Sequence, residues 1–274
     1  MGEFSGWLLV ADFDDTLRPE GAEGPIPEEN RRSAEEFMAG GGLFTIATGR
    51  DPRSYLHIRD LFPSNAPAVL SNGAVIFDGE SLESVYESFL PFSCRGDLRE
   101  ALEAFPALGM EVHRGTDVRV CRRNAGVEEH LRRMGAPVLE ADMDRILFPW
   151  TKVVLVGEKL HMGDQALSHR VTDWFLERFP DKYEAVPAGA LIDIVSAGND
   201  KGTGVRRLAS LLDVAPEKVV CVGDSWNDLP MLRAAGRAFA PANALEAVRA
   251  EPGVVTVGDS RSCLRDVLEA LRKP

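Results

Sequence analysis

Three apolar runs that each end in a short polar motif constrain the fold of this chain most. The runs cover residues 7–11, 43–47 and 219–222, and the motifs that follow them are Asp12-Phe13-Asp14-Asp15-Thr16, Thr48-Gly49-Arg50 and Gly223-Asp224-Ser225-Trp226-Asn227-Asp228. Uninterrupted apolar runs of this length indicate strands that are buried on both faces, as in a parallel sheet. Because ligands of such sheets bind beyond the carboxyl ends of the strands, the three motifs are predicted to meet at one edge of the sheet.

The segments between these strands predict an α/β core that is interrupted by an α+β insert. Residues 1–78 follow a β-α-β-α-β pattern, in which Pro27 and the acidic residues after it are typical of a helix N-terminus. Residues 79–188 combine two-residue alternation, which indicates strands with one polar face, with amphipathic helical segments. The β-α-β pattern returns over residues 189–274.

Charge and apolar content restrict the classes of partner. The 274 residues carry a formal net charge of −12, which disfavours non-specific binding to nucleic acid or to an anionic membrane. No apolar run has the length of a membrane span, and the first residues lack the features of a signal peptide, so a cytoplasmic protein is expected. The four cysteines are too widely spaced for a paired motif and are expected to be reduced thiols.

A cluster of carboxylates at one sheet edge requires a cation, because the carboxylates otherwise repel one another. Mg²⁺ prefers oxygen ligands, so Asp12 and Asp224 are candidate ligands, together with a backbone carbonyl near Asp14. Of the carboxylates of Asp12 and Asp14, one can attack phosphorus and the other can act as general acid and base. The acid needs a raised pKa, which a neighbouring carboxylate is expected to supply.

Phosphate binding is the second requirement of such a site. Thr48 offers a hydroxyl group, and Gly49 allows the backbone to approach closely. Lys201 offers a positive charge at a predicted helix start, where the helix dipole also favours an anion. These residues are therefore candidates for holding a phosphoryl group.

Taken in order, the three motifs and Lys201 resemble the four motifs of the haloacid dehalogenase (HAD) superfamily. The segment Ser71-Asn72-Gly73-Ala74 and the position of the insert resemble its Cof-type branch. The resemblance implies a Rossmann-like parallel-sheet core, residues 1–78 and 189–274, with a C2-type α+β cap domain of residues 79–188. It also implies a Mg²⁺-dependent phosphatase for a small phosphorylated metabolite, with a sugar phosphate as the typical substrate.

The resemblance also implies roles for the aspartates. Asp12 would be the nucleophile and a metal ligand, and Asp224 would be a further metal ligand. Asp14 would be the general acid and base and would bind the metal through its carbonyl oxygen. The residue after it is often glycine in this family, whereas here it is Asp15, which is expected to point away from the metal.

The remaining motif residues would act on the phosphate. Thr48, Gly49 and Lys201 would bind it, and Asn227 and Asp228 would orient Lys201 or a metal-bound water.

Four further side chains, in or near the motifs, are less specific indicators of function. Asn72 and Asn243 could equally line the site or lie in ordinary loops, in which asparagine is common. Arg50 and Trp226 are expected to be structural.

Two other functions use the same residues. One is a phosphomutase of the same superfamily, which would require a bisphosphate. The other is a regulatory or binding protein that is phosphorylated on aspartate without turnover, as in receiver domains; the large insert and Asp14 argue against it. In this superfamily, dehalogenases lack a carboxylate at the position of Asp14, and transport ATPases carry a threonine there. The presence of Asp14 therefore excludes both classes and leaves phosphatases and phosphomutases.

Overall fold

The computed structural model describes residues 2–19, 21–158 and 165–273. In chain order, its strands are β1 (Leu8–Ala11), β2 (Leu43–Ile46), β3 (Ala68–Leu70), β4 (Val75–Asp78), β5 (Glu83–Glu87), β6 (Gly109–Arg114), β7 (Asp117–Arg122), β8 (Lys152–Val156), β9 (Tyr183–Ala188), β10 (Leu191–Ser196), β11 (Val219–Val222), β12 (Arg237–Pro241) and β13 (Val254–Val257). Its helices are α1 (Glu28–Ala39), α2 (Pro52–Ile58), α3 (Cys94–Ala104), α4 (Ala125–Arg133), α5 (Gln165–Arg178), α6 (Lys201–Leu211), α7 (Leu229–Ala234), α8 (Glu246–Arg249) and α9 (Cys263–Leu271).

A parallel sheet with the order β13-β12-β11-β1-β2 carries the three motifs. Ala11 is in register with Ile46 on one side and with Val222 on the other, so the three strands end at the same level. Their side chains are almost completely buried, as the uninterrupted apolar runs predicted. The α/β prediction is therefore confirmed, and the polar residues after each strand share one edge of the sheet.

A tight turn joins β3 to β4 and contacts the beginning of α6. The two strands pair antiparallel, as the predicted hairpin requires, and Gly73 in the turn has φ +93. A Cβ atom on Gly73 would lie only 2.0 Å from the carbonyl oxygen of Asp200, and one on Gly204 would lie 2.8 Å from the Cα of Gly73. The turn and the first turn of α6 thus approach each other at a distance that only glycine permits.

The antiparallel sheet of the insert has the order β7-β6-β8-β10-β9. Helices α3 and α5 pack against one face over a core that includes Leu98, Phe175 and Trp150. Helix α4 packs against part of the other face through Val127 and Leu131. This arrangement is the α+β organisation expected for the insert.

Contacts divide the chain into two units whose bounds differ from those expected. The first unit comprises residues 1–50, 55–85 and 200–274, and the second comprises 51–54 and 86–199. The sequence assigned β10 to the core, but β10 pairs with β8 and β9 in the second sheet, because the two-residue turn at Gly189 keeps it beside β9. At the other end β5 extends the β3-β4 sheet, so the first unit continues to residue 85.

Two simpler expectations concern the membrane and the cysteines. Among the described residues, no helix combines the length and the apolar character needed to span a bilayer. All four cysteines are free, as their spacing predicted.

A buried ionic network in the second unit was not predicted from the sequence. His113 Nδ1 contacts Asp51, and its Nε2 lies 3.4 Å from Glu111, whose other oxygen lies 2.9 Å from His130 Nδ1. Burial alone would lower the pKa of His113, but the charges of Asp51 and Glu111 outweigh burial and the opposing charge of Lys152, raising it to about 9. The imidazole is therefore a buried cation at neutral pH.

This network predicts how the stability of the protein depends on pH. The pKa of His113 rises from 6.5 to about 9 on folding, which corresponds to about 3 kcal/mol. This contribution is fully present below pH 6.5 and is lost as the pH rises through 9. The pKa values of Asp51 and Glu111 are lowered, so their contributions are present above their ordinary values near 4 and are lost as the pH falls further. We expect the free-energy difference between the wild type and His113→Gln, from urea denaturation, to be largest near pH 5–6.5 and to shrink toward pH 9.5.

The exposed His57 provides a matched control in the same protein. His57→Gln should leave the free energy of unfolding within about 0.5 kcal/mol of the wild type at every pH. A difference for His113→Gln that stays constant between pH 6 and 9.5 would show that the imidazole is neutral in the folded protein.

Candidate active site

Lys201 and two carboxylates form the centre of the candidate site. Asp12 follows β1 directly, and Lys201 is the first residue of α6, where the side chain of Asp200 caps the helix by accepting the Thr203 N–H. Lys201 Nζ lies 2.6 Å from Asp12 Oδ1 and 2.6 Å from Asp228 Oδ1, and the lysine is 1% exposed. Burial alone would lower the pKa of Lys201, but the two carboxylates outweigh it and raise the pKa, so the ammonium form is retained.

Asp228 also holds the third motif in place. Its Oδ2 accepts the backbone N–H groups of Asp224 and Ser225, both at 2.9 Å. One carboxylate therefore orients Lys201 and fixes the backbone next to Asp224. The contact with Lys201 is the one that the suggested orienting role of Asp228 requires, and that role stays a prediction.

The carboxylates at this edge fit a divalent cation. Oxygen atoms of Asp12, Asp224 and Asp228 all lie within 4.8 Å of one another. Burial is the main cause that raises the pKa of Asp12, and it is also the main cause that raises the pKa of Asp224 to about 7. Neighbouring carboxylates add to both shifts. A hard cation would relieve this repulsion and return both groups to the carboxylate form. Asp12 and Asp224 are placed to hold it, with Asp228 beside them.

Asp14 differs from its expected electrostatic state. Arg50 donates two hydrogen bonds to its carboxylate, both at 2.9 Å, and Arg18 donates a third at 3.1 Å. Burial alone would raise the pKa of Asp14, but the hydrogen bonds and charges of the two arginines lower it. The raised pKa expected from a neighbouring carboxylate is therefore wrong for this state, because the carboxylate faces the two guanidinium groups.

Thr48 lies at the same sheet edge and is almost completely buried. Its backbone N–H donates to Val69 O at 2.9 Å, and its Oγ1 accepts the N–H of Arg50 at 3.2 Å. The next residue is Gly49, which sits between these two anchored positions. The structure brings both residues to the level of Asp12, and their role toward phosphate stays a prediction.

The two asparagines that the sequence left undecided both contact motif residues. Asn72 is buried, and its Oδ1 lies 3.4 Å from Asn227 Nδ2. The described contact of Asn227 is thus with Asn72, whereas Asp228 reaches Lys201. Asn243 donates to the carbonyl oxygen of Asp15 at 2.8 Å.

Two neighbouring side chains were expected to be structural. Trp226 is 59% exposed. Arg50 hydrogen-bonds to Asp14, the candidate general acid, and the expectation for both residues stays a prediction. Sequence reasoning also missed Thr16, whose Oγ1 donates to Asp224 Oδ1 at 2.5 Å, and Arg18. The i, i+4 spacing of Asp14 and Arg18 was the available signal for the arginine.

Known proteins resemble this chain over most of its length. A model of the family described as haloacid dehalogenase-like hydrolases matches residues 9–261. The 5-amino-6-(5-phospho-D-ribitylamino)uracil phosphatase YitU of Bacillus subtilis is 23% identical over 248 residues, which are 90% of each chain. The chloroplastic endoribonuclease YBEY of Arabidopsis thaliana is 25% identical over 280 residues, but the match covers 95% of this chain and only 45% of that protein.

The fold is also shared with solved structures. A HAD subclass IIB sugar phosphatase superimposes with a TM-score of 0.79 at 20% identity, over 96% of this chain and 98% of the other. The family match covers far more than half of the sequence and includes all the motif residues described above. The chain therefore belongs to the haloacid dehalogenase-like hydrolases.

Proposed function

We propose that this protein is a Mg²⁺-dependent phosphatase that releases inorganic phosphate from a small phosphorylated metabolite, in the first place a sugar phosphate. That it is a phosphomonoester hydrolase follows from its family and from its phosphatase relatives. The sugar phosphatase with the same fold supports the substrate class. One observation carries the proposal. The ammonium group of Lys201 and the carboxylates of Asp12, Asp224 and Asp228 converge at the end of β1.

In the proposed reaction, a carboxylate oxygen of Asp12 attacks phosphorus and the bond from phosphorus to the leaving oxygen breaks. Asp14 gives its proton to that oxygen, so the product leaves as an alcohol. Asp14 then takes a proton from a water molecule that attacks the aspartyl phosphate, and inorganic phosphate is released. Asp12 and Asp224 would hold a Mg²⁺ ion, which would supply positive charge to the site during the transfer.

Lys201 acts in this scheme through its charge. Its ammonium group already contacts Asp12 Oδ1, which leaves it beside the atom that attacks phosphorus. An incoming phosphate brings further negative charge, which the ammonium group stabilises more strongly in a buried site than in water. Thr48 and Gly49 would hold the phosphate from the end of β2.

Asp14 has to change partners before it can act as an acid. A carboxylate that accepts three hydrogen bonds from arginines is stabilised in its ionised form and is a poor proton donor. Substrate binding therefore has to draw Asp14 away from Arg50 and Arg18. The proposed catalytic cycle begins with ionised Asp14 held by these arginines. After Asp14 leaves them it takes up a proton from solvent water, and it reaches the reactive state protonated and beside the leaving oxygen.

Replacement of the nucleophile tests the reaction itself. We expect Asp12→Asn to lower the steady-state release of phosphate from sugar phosphates in Mg²⁺ by at least about 10³-fold, because an amide cannot form the phosphoenzyme. Excess chelator should abolish wild-type activity, and added Mg²⁺ should restore it. The measurement is a colorimetric phosphate assay, with circular dichroism to show that the variant is folded.

The same assay distinguishes the alternative functions. Release of one phosphate per chain, with no further turnover, would identify a phospho-aspartate switch. Activity only in the presence of a bisphosphate, with transfer to a second position of the sugar, would identify a phosphomutase. Wild-type rates in Asp12→Asn would contradict all three.

Replacement of the general acid should depend on the leaving group. For sugar phosphates, whose alcohol oxygen needs a proton, we expect Asp14→Asn to lower kcat/KM by about 10²–10⁴-fold. For p-nitrophenyl phosphate, whose phenolate leaves without a proton, the loss should be much smaller. Equal losses on both substrates would mean that Asp14 does not donate the proton.

A further inference from the structure

We propose that Arg18 and Arg50 form a subsite for a carboxylate group on the leaving part of the substrate. The favoured substrate is then the phosphate ester of a small hydroxy acid, for example a phosphorylated sugar acid. This subsite deepens the proposed function and rests on it in one respect, since Asp14 is taken as the general acid that has to reach the leaving oxygen.

The two guanidinium groups already hold a carboxylate. Arg50 Nε donates to Asp14 Oδ2 and Arg50 Nη2 donates to Asp14 Oδ1, both at 2.9 Å, and Arg18 Nη2 donates to the same Oδ1 at 3.1 Å. Two parallel hydrogen bonds from one guanidinium group to the two oxygens of a carboxylate are the geometry in which arginine binds this group most specifically. The two arginines thus form a carboxylate site, which a side chain of the protein itself occupies in this state.

Both arginines are fixed by their own loops. The backbone N–H of Arg50 donates to Thr48 Oγ1 at 3.2 Å. The backbone N–H of Arg18 donates to Phe13 O at 3.1 Å, and its guanidinium carbon lies 4.7 Å from the centroid of the Phe13 ring. The side chains of Arg18 and Arg50 are only 16% and 22% exposed, whereas that of Asp14 is 50% exposed. Of the three groups, the carboxylate of Asp14 is therefore the one best placed to leave.

Departure of Asp14 creates a place for a second carboxylate. In the proposed cycle Asp14 moves to the leaving oxygen, and the atoms of Arg18 and Arg50 that hold it lose this acceptor. A substrate carboxylate restores the same hydrogen bonds and the same charge balance, whereas a hydroxyl group restores neither the paired geometry nor the charge. A carboxylate on the substrate therefore makes the exchange of partners favourable, and an uncharged substrate has to break the ion pairs without replacement.

The position of the subsite in the chain limits the size of the substrate. Asp14 follows Asp12 by two residues, so the backbone between them spans at most about 7 Å. The phosphoryl group lies at Asp12 in the proposed reaction, and the carboxylate would lie where Asp14 now lies. A metabolite of a few carbon atoms is long enough to reach both.

The test uses two pairs of substrates that differ only in the carboxylate. 3-Phosphoglycerate is matched with glycerol 3-phosphate, and 6-phosphogluconate is matched with glucitol 6-phosphate. We expect the wild type in Mg²⁺ to have a kcat/KM at least about tenfold higher for the acid than for the alcohol in one or both pairs. Arg50→Gln should reduce this acid-to-alcohol ratio to within about threefold of unity, because only the acid uses the guanidinium group. Arg18→Gln should reduce the ratio less, since Arg18 donates one hydrogen bond and Arg50 donates two.

Arg272 provides the matched control. It also binds a carboxylate through two hydrogen bonds, from Nε to Glu3 Oε1 at 3.0 Å and from Nη2 to Glu3 Oε2 at 3.2 Å. Glu3 precedes β1, whereas Asp14 follows it, so this pair belongs to the other end of the strand. Arg272→Gln removes the same charge and should leave the acid-to-alcohol ratio within about twofold of that of the wild type.

Calorimetry on Asp12→Asn in Mg²⁺ separates the subsite from the reaction. This variant retains both arginines and should bind the acid at least about tenfold more tightly than the matched alcohol. Such a difference would support the subsite even if the wild type hydrolysed none of the four esters, a result that would count against the proposed function.

Two outcomes would overturn the subsite. One is a wild type that hydrolyses the alcohols as well as the acids, together with equal binding of both by Asp12→Asn, and the proposed phosphatase activity would then stand without it. The other is a loss of activity in Arg50→Gln that is equal for acid and alcohol, so that their ratio stays at the wild-type value. The arginine would then support the loop and not the choice of substrate.

Discussion

The ammonium group of Lys201 lies between two buried carboxylates, Asp12 and Asp228, and the geometry of the site depends on this contact. A buried charge without a partner costs several kcal/mol, so none of the three groups is stable at this position by itself. Lys201 balances only part of the negative charge, since Asp224 lies in the same cluster. The excess of negative charge is what makes this edge of the sheet suitable for a cation.

Asp12 and Asp14 form ion pairs with different basic side chains at this edge of the sheet. The lysine is fixed by α6, and its charge opposes the rise in the pKa of Asp12 that burial causes. Arg18 and Arg50 form ion pairs with Asp14 instead. Two carboxylates only two residues apart in the sequence therefore face different charges. The pKa of Asp12 is raised and that of Asp14 is lowered, which is the reverse of what a nucleophile and a general acid need, so the proposed reaction requires both groups to change partners.

The sequence predicted the sheet and the residues that converge on it, because a parallel strand buried on both faces leaves an unambiguous apolar pattern. It did not predict the partners of Asp14, since the pairing with Arg50 depends on how two loops fold beyond the strand ends. It assigned β10 to the wrong sheet, because a buried apolar strand has the same pattern in either sheet. It also missed Glu111 and His113, whose alternation with apolar residues indicated a solvent-exposed face, whereas both are buried.

The contact between the turn at Gly73 and the start of α6 has a consequence for how the site is assembled. Gly73 and Gly204 are 131 residues apart in the sequence, with the whole insert between them, yet a Cβ on Gly204 would meet Gly73 and a Cβ on Gly73 would meet Asp200 at the start of the same helix. Arg207 reaches across to the carbonyl oxygen of Gly73 as well. Asp200, whose carbonyl oxygen lies against Gly73, directly precedes Lys201. A side chain at Gly73 would therefore displace the start of α6 and, with it, the ammonium group that contacts Asp12.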